Sequence, residues 1–406
     1  MTDIADPTLT QPFPWPRPPI DPPAQYSWLR ENRPVTRVIT RAGSPAWLVS
    51  RYDDVRAVLS DPRVSADHNR PGFPDVIAPF PRELGSFLRM DAPDHTVYRK
   101  LLSKNFMVKR VEALRPAIQD LVDRTIDAML ASPDRRADFV RAVALPVPST
   151  VLSWVLGVPE QDREFFNLTT ERAFDSGDGT DPDKLASVAE ALQTLLGYID
   201  GLMSEREAAQ DPGDDLLGQL VAACRVGTIP RNQVISAGIL LTTAGHDTTA
   251  SMTALGTLTL LQHPDQLDEL RRHPELIPDA IEELLRYLTI VHLVVVRIAT
   301  EDIEIGGAVI PAGEGIIPLN LSANRDDAHF PDPDRFDIHR KARDHFAFGF
   351  GMHQCIGQPL ARVELHVIFE TLLRRVPTLR LAEPIEQVPF KTWSVINGVF
   401  QLPVGW

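Results

Sequence analysis

The sequence predicts a mainly α fold with small β-sheets set apart from the helices, an α+β arrangement, in one domain spanning residues 1–406. Three observations carry that expectation. Helical apolar repeats dominate from residue 94 onward. Strand-like alternation is confined to short stretches, chiefly around 35–49 and 294–318. No internal repeat, low-complexity run or Gly/Ser linker divides the chain, and with 43% hydrophobic residues it can bury a large core.

The elements follow in order. Residues 1–22 form a proline-rich arm, and proline, abundant at 36 residues, clusters at 11–23 and 71–81, where extended or looped chain is expected. Short strands are predicted from Val35 to Thr40 and from Ala46 to Val49. Helices are predicted over 94–107, 112–130, 147–156, 184–208, 232–262, 264–271, 278–288 and 358–375. The segment 232–262 would run about 45 Å. It is apolar around most of its circumference, so it should be buried, and Pro264 ends it. Within 294–318, Gly306-Gly307 marks a hairpin turn, and a last strand is expected from about Val395 to Pro403.

Composition excludes several classes. The N-terminal segment lacks the basic and apolar regions of a secretory signal. No apolar run approaches the ~18 residues of a membrane span, so a cytoplasmic setting is the default expectation. Cys224 and Cys355 are the two cysteines, too few for a disulfide framework or a four-cysteine iron–sulfur cluster. A net charge of −14 argues against nucleic acid or an anionic membrane as main partner. Against that background Arg99-Lys100, Lys104 and Lys109-Arg110 form a basic run, either a solvated helix face or a docking patch.

The most informative stretch is Phe348-Gly349-Phe-Gly351-Met-His353-Gln-Cys355-Ile-Gly357. Its glycines let the backbone take positive φ and approach a ligand closely. Gln358-Pro359 then opens a long amphipathic helix, proline suiting a first turn. Cys355 thus lies at a helix N-terminus, where N–H groups and the helix dipole favour an anion and hence a thiolate. The other reading is a buried, inert cysteine in a glycine loop.

Phe348-x-x-Gly351-x-x-x-Cys355-x-Gly357 resembles the heme-binding loop of the cytochrome P-450 family at every fixed position, and the likeness extends essentially from Trp15 to the C-terminus. The resemblance is to soluble, bacterial, actinomycete-type members. It implies the single-domain cytochrome P-450 fold, with heme b between the long central helix and the helix after the cysteine loop. It also implies Cys355 as the axial sulfur ligand and sole metal ligand, with Phe348, Gly349, Gly351 and Gly357 cradling the cofactor. A thiolate ligand donates electron density to iron and favours O–O cleavage, and loop N–H groups tune its potential.

In the central helix, Ala244-Gly245-His246-Asp247-Thr248-Thr249 is anomalous, because glycine weakens a helix and an unpaired buried carboxylate is costly. Read alone, it could be a kink with a locally satisfied aspartate. The resemblance implies that Ala244 and Gly245 lie against the cofactor, that Gly245 and Thr248 open the dioxygen groove, and that Asp247 and Thr248 are the catalytic acid–alcohol pair relaying protons through water. His246 faces a pocket rim or a neighbouring helix and carries no assigned role.

Glu283 and Arg286 share a helix face, ordinarily a surface salt bridge. The resemblance makes them two members of a buried triad, with Arg335 as the third, holding the scaffold. It places His95, Arg99, Arg297 and His353 on the heme propionates. The pocket would be walled by residues 70–90, 165–195, the N-terminal side of Asp247, Ile290–Val296 and Val395–Asn397. Apolar Ile290, Leu293, Val294, Val295, Ile396 and Val399 suit a small hydrophobic substrate. Asp175, Asp178, Asp181 and Asp183 mark an acidic, mobile lid.

The activity so implied is hydroxylation or epoxidation of a natural product or xenobiotic in secondary metabolism, with O2 as co-substrate. Electrons would come from a separate ferredoxin and ferredoxin reductase, since no flavin or Fe–S cluster is expected in this chain. None of the Gly-x-Gly pairs at Gly177, Gly313 and Gly349 has the third glycine of a dinucleotide loop. Lys100, Lys104, Lys109 and Arg110 would steer the ferredoxin. A monomer is expected, with no nucleic acid and no membrane. A second reading is a fungal-type cytochrome P-450 nitric oxide reductase, suggested by Ala46-Trp47-Leu48-Val49, Leu145-Pro-Val-Pro148 and Glu314-Gly315-Ile-Ile, but that type lacks a carboxylate at Asp247. A third is a catalytically silent heme-binding or recruitment module, which would typically lack the acid–alcohol pair or the cysteine.

Overall fold

The structure, a computed structural model, describes residues 11–77, 87–174, 182–391 and 394–406. Among the described residues helices predominate, with three small sheets. The chain gathers into two compact units that interleave along the sequence. One comprises Met1–His95, Glu282–Cys355 and Thr392–Asn397, and the other Thr96–Ile281, Ile356–Lys391 and Gly398–Trp406.

The first unit is built on a five-stranded sheet in the order Val35–Ile39, Pro45–Val49, Gly315–Pro318, Arg297–Ala299, Val64–Ser65. Pro45–Val49 pairs with Gly315–Pro318 in parallel, and the other pairings are antiparallel. Side chains alternate across a strand. Ala46, Leu48 and Ile317 therefore enter a core with Phe13, Trp15, Tyr26 and Leu29. On the other face Trp47, Val49 and Ile316 pack with Tyr52, Val55 and Phe346. The hairpin Ile303–Ile305/Ala308–Ile310 turns at Gly306 and Gly307, both at positive φ, as expected.

The second unit packs Val108–Leu130 against Gln358–Arg375 and surrounds the central helix Arg231–Gln262, which is continuous and fully buried from Thr249 to Leu260. A sheet of Arg136–Asp138, Pro403–Gly405 and Arg380–Leu381 flanks these helices. The last strand is therefore Pro403–Gly405, not Val395–Pro403, a stretch that makes single bridges at Ile396 and Val399. Helices also form at Gln25–Asn32, Tyr52–Ser60, Arg163–Phe174 and Leu216–Arg225, where none was expected.

Candidate functional site

The Cys355 amide donates to the Phe348 carbonyl at 2.8 Å and closes the loop, while Gly349 and Gly351 take φ of 67° and 72°. A Cβ on Gly351 would lie 2.3 Å from the Leu59 carbonyl oxygen, so only glycine lets the loop lie flush on the helix Tyr52–Ser60. Arg56 of that helix stands 4.8 Å from the Phe350 ring centre. Cys355 is exposed. Gly357 caps the helix Gln358–Arg375, with proline in its first turn.

The same unit collects cations. The His95 and His353 rings stand 4.2 Å apart, and His95 is buried. Arg297 is 6% exposed and donates to the Val296 carbonyl at 2.8 Å. Arg89, which the sequence gave no reason to single out, donates to that same carbonyl at 3.3 Å and to Val294 at 3.1 Å. Burial, followed by the like charge of Arg89, lowers Arg297 to about 10, and Asp91 offsets this only in part. Among the described residues no carboxylate is in salt-bridge contact with Arg297. A buried guanidinium such as Arg297, with no carboxylate in salt-bridge contact, suits an anionic ligand group. An exposed sulfur in the same unit as this anion-seeking cluster fits an iron porphyrin with acidic side arms. Arg99 lies one helical turn beyond His95 and is half-buried.

In the second unit, Thr248 Oγ1 donates to the Ala244 carbonyl at 2.6 Å. Asp247 finds its partner far along the chain rather than locally: Lys391 Nζ donates to its Oδ1 at 2.7 Å, while Ser251 Oγ, one turn on, donates to the same oxygen at 3.3 Å. His246 faces a neighbouring helix, its Nδ1 2.7 Å from Ser149 Oγ on Pro146–Leu156. Burial pushes the imidazole down to about 4, so it is neutral. A Cβ on Gly245 would meet Leu152 of that helix at 3.1 Å, which makes close helix packing the reason for glycine there. Ala244 is exposed and Thr248 half-buried.

Glu283 and Arg286 form no surface bridge: both side chains are 0% exposed, paired at 2.7 Å and 2.9 Å. The third member is Arg340, whose Nε lies 3.2 Å from Glu283, rather than Arg335. Asp332 turns the chain at positive φ and leaves the Arg335 side chain exposed; its carbonyl accepts from Arg340 instead.

Of the expected pocket wall, Leu293 packs in the core with Phe13 and Leu29, and Val295 packs against the core of Val49 and Phe346. Ile290 and Val399 are buried, while Val294 and Ile396 are half-buried. Asp175, Asp178 and Asp181 of the acidic segment, and residues 78–86 of the first wall, lie outside the described residues. Lys100, Lys104 and Lys109 are exposed, but Arg110 is engaged by Asn105 Oδ1 at 3.0 Å and Asp214 at 3.4 Å. Among the described residues no helix is long and apolar enough to cross a membrane.

The family model for cytochrome P-450 matches residues 24–379. The chain is 47% identical to cytochrome P-450-SU2 of Streptomyces griseolus, over 96% of this chain and 94% of that protein. It is 44% identical to the vitamin D3 dihydroxylase of Streptomyces griseolus, over 95% and 94%. Among solved structures, cytochrome P-450 MoxA from Nonomuraea recticatena superimposes with a TM-score of 0.90 at 46% identity, covering 98% of each chain.

Proposed function

Since the chain belongs to the cytochrome P-450 family and is a monooxygenase of the oxidoreductase class, we propose that it hydroxylates or epoxidises a small hydrophobic natural product or xenobiotic with electrons from a separate ferredoxin and its reductase. Asp247 beside Thr248 is the observation that carries this reading. Insertion of one oxygen atom with release of the other as water consumes two protons, and inside a pocket closed to bulk water those protons need a carrier. Asp247 is that carrier: 18% of its side chain is exposed, so it exchanges protons outward, and it adjoins the Thr248 hydroxyl.

Bound through the Cys355 sulfur, heme supplies dioxygen activation. The chain's own residues do the rest. His95, His353, Arg297 and Arg99 hold the acidic side arms, with Arg89 reinforcing Arg297. Phe348, Gly349, Gly351 and Gly357 shape the loop that presents the sulfur, and loop N–H groups tune it. Ala244 and Gly245 set the backbone from which the Thr248 hydroxyl is held by the Ala244 carbonyl. Glu283, Arg286 and Arg340 hold the scaffold. The apolar Ile290, Val294 and Ile396 favour a hydrophobic substrate, in keeping with a relative named for vitamin D3. Lys100, Lys104 and Lys109 form the steering patch for an acidic ferredoxin.

Asp247→Asn tests the reading. The carbon monoxide band of the reduced protein should persist while ferredoxin-supported turnover falls sharply, whereas Cys355→Ser should abolish the band. Unimpaired turnover in Asp247→Asn would refute the proton relay. Nitric oxide consumption with NADH alone would transfer the chain to the reductase reading that Ala46–Val49 suggests. Substrate class is read from spin-state shifts across a panel of apolar compounds.

A further inference from the structure

We propose that Lys391 is a positioning residue for proton delivery, fixing the Asp247 carboxylate through an ion pair made from the C-terminal segment. The inference rests on Asp247 acting as the relay acid and names the group that aims it.

Among the described residues, two polar contacts reach Asp247, both on Oδ1: the Lys391 ammonium at 2.7 Å and the Ser251 hydroxyl at 3.3 Å. The second is long for an O–H···O bond and comes from the same helix, one turn on, so it does little to orient the carboxylate. Orientation therefore falls to Lys391. Both partners are 18% exposed, so the pair is neither screened like a surface bridge nor cut off from water. His246, the adjoining titratable group, is neutral and turned to Ser149, and so adds no competing cation.

The lysine is itself held in place. Its amide donates to the Gly398 carbonyl at 2.9 Å, and the neighbouring Phe390 bridges Val399 in antiparallel fashion. Gly398 lets this ribbon lie directly on the central helix: a Cβ there would fall 2.5 Å from Ser251 Oγ and 3.3 Å from Lys391 Cδ. The ammonium also stands 5.9 Å from the Phe400 ring centre. A backbone ladder, a glycine contact and an aromatic face thus direct one ammonium onto the carboxylate one turn from Ser251. A carboxylate so aimed keeps one oxygen pinned and the other available for water, the arrangement a shuttle requires.

Three holoenzyme variants are compared: Lys391→Met, Lys391→Arg and the double variant Lys391→Met/Asp247→Asn, with Asp247→Asn alone as reference. Lys391→Met should lower kcat about 5–10-fold, an effect of ~1–1.4 kcal/mol. KM should stay within about twofold, and the fraction of NADPH electrons lost to hydrogen peroxide should rise. Lys391→Arg should restore most of kcat. The double variant should be no slower than Asp247→Asn, because Lys391 acts only through that carboxylate. Thermal unfolding gives a readout independent of turnover: the two single substitutions should be non-additive in the melting midpoint. Wild-type turnover and coupling in Lys391→Met overturn the proposal, as do faster turnover in that variant or multiplicative losses in the double. If Asp247→Asn itself turns over normally, the relay reading has failed instead, so the two failures are distinguishable.

Discussion

Replacing Arg286 by Met should leave almost no folded protein. Its guanidinium makes two bonds to Glu283, at 2.7 and 2.9 Å, and donates to the carbonyls of Asn324 at 2.7 Å and Pro333 at 2.9 Å. After truncation Glu283, at 0% exposure, keeps, among the described residues, the Asp337 amide at 3.0 Å and Arg340 at 3.2 Å. Breaking a buried pair from one side costs ~3–5 kcal/mol. Each buried carbonyl that loses its donor adds ~1–3 kcal/mol. The combined loss, about 5–10 kcal/mol, is comparable to the ~5–15 kcal/mol that holds a typical domain together. Arg286→Lys keeps the charge, but a compact ammonium cannot span the carboxylate and two carbonyls, so an intermediate loss is expected. Yield of soluble protein and the midpoint of denaturant unfolding measure both. An Arg286→Met protein that expresses normally and unfolds within about 1 kcal/mol of wild type would refute the argument.

Arg340→Leu should lose ~1–3 kcal/mol through its charged hydrogen bond, whereas Arg335→Leu at an exposed turn should stay within ~0.5 kcal/mol; parallel melting curves decide between them. Glu364 is buried, and burial raises its carboxyl to about 8 from an ordinary 4.5. The unfolded chain ionises it first, so wild-type stability erodes between roughly those two pH values, at up to about 1.4 kcal/mol per unit. Glu364→Gln should therefore gain on wild type as pH rises from 5 to 8 and level off above that, and a constant difference in melting midpoint would contradict this. His246 runs the opposite way: lowered to about 4 by burial, it should cost stability as pH falls from 6.5 toward 4, a loss that His246→Gln should lack. Lys109→Glu should slow electron transfer at low salt and flatten its salt dependence, with a smaller effect for Arg110→Glu because Asp214 already engages that guanidinium.

Much of this was legible in the chain where one residue type is forced. The cysteine loop announced itself because its glycines, sulfur and following proline serve one local geometry. The Gly306-Gly307 hairpin and the C-terminal end of the central helix were read from turn chemistry and Pro264 in the same way. Tyr52–Ser60 buries Tyr52, Val55, Val58 and Leu59 at helical spacing, a signal as legible as that of 264–271. The rest of what escaped depends on tertiary contact. Arg335 and Arg340 are equally basic and five positions apart, and only the turn at Asp332 decides which reaches Glu283. Lys391 and Arg89 carry no local signature, since each matters through a partner more than a hundred residues away. The strand expected from Val395 fails because alternation there serves two isolated bridges rather than a ladder.

The interleaving of the two units has a consequence for biogenesis. Each is assembled from three stretches, and each takes its last stretch from the segment after Lys391. A ribosome therefore cannot release either as a finished body while the rest is still being made, and both reach completion only when the final residues emerge. A premature stop near residue 390 should therefore send the nascent chain toward aggregation rather than yield a trimmed, working half.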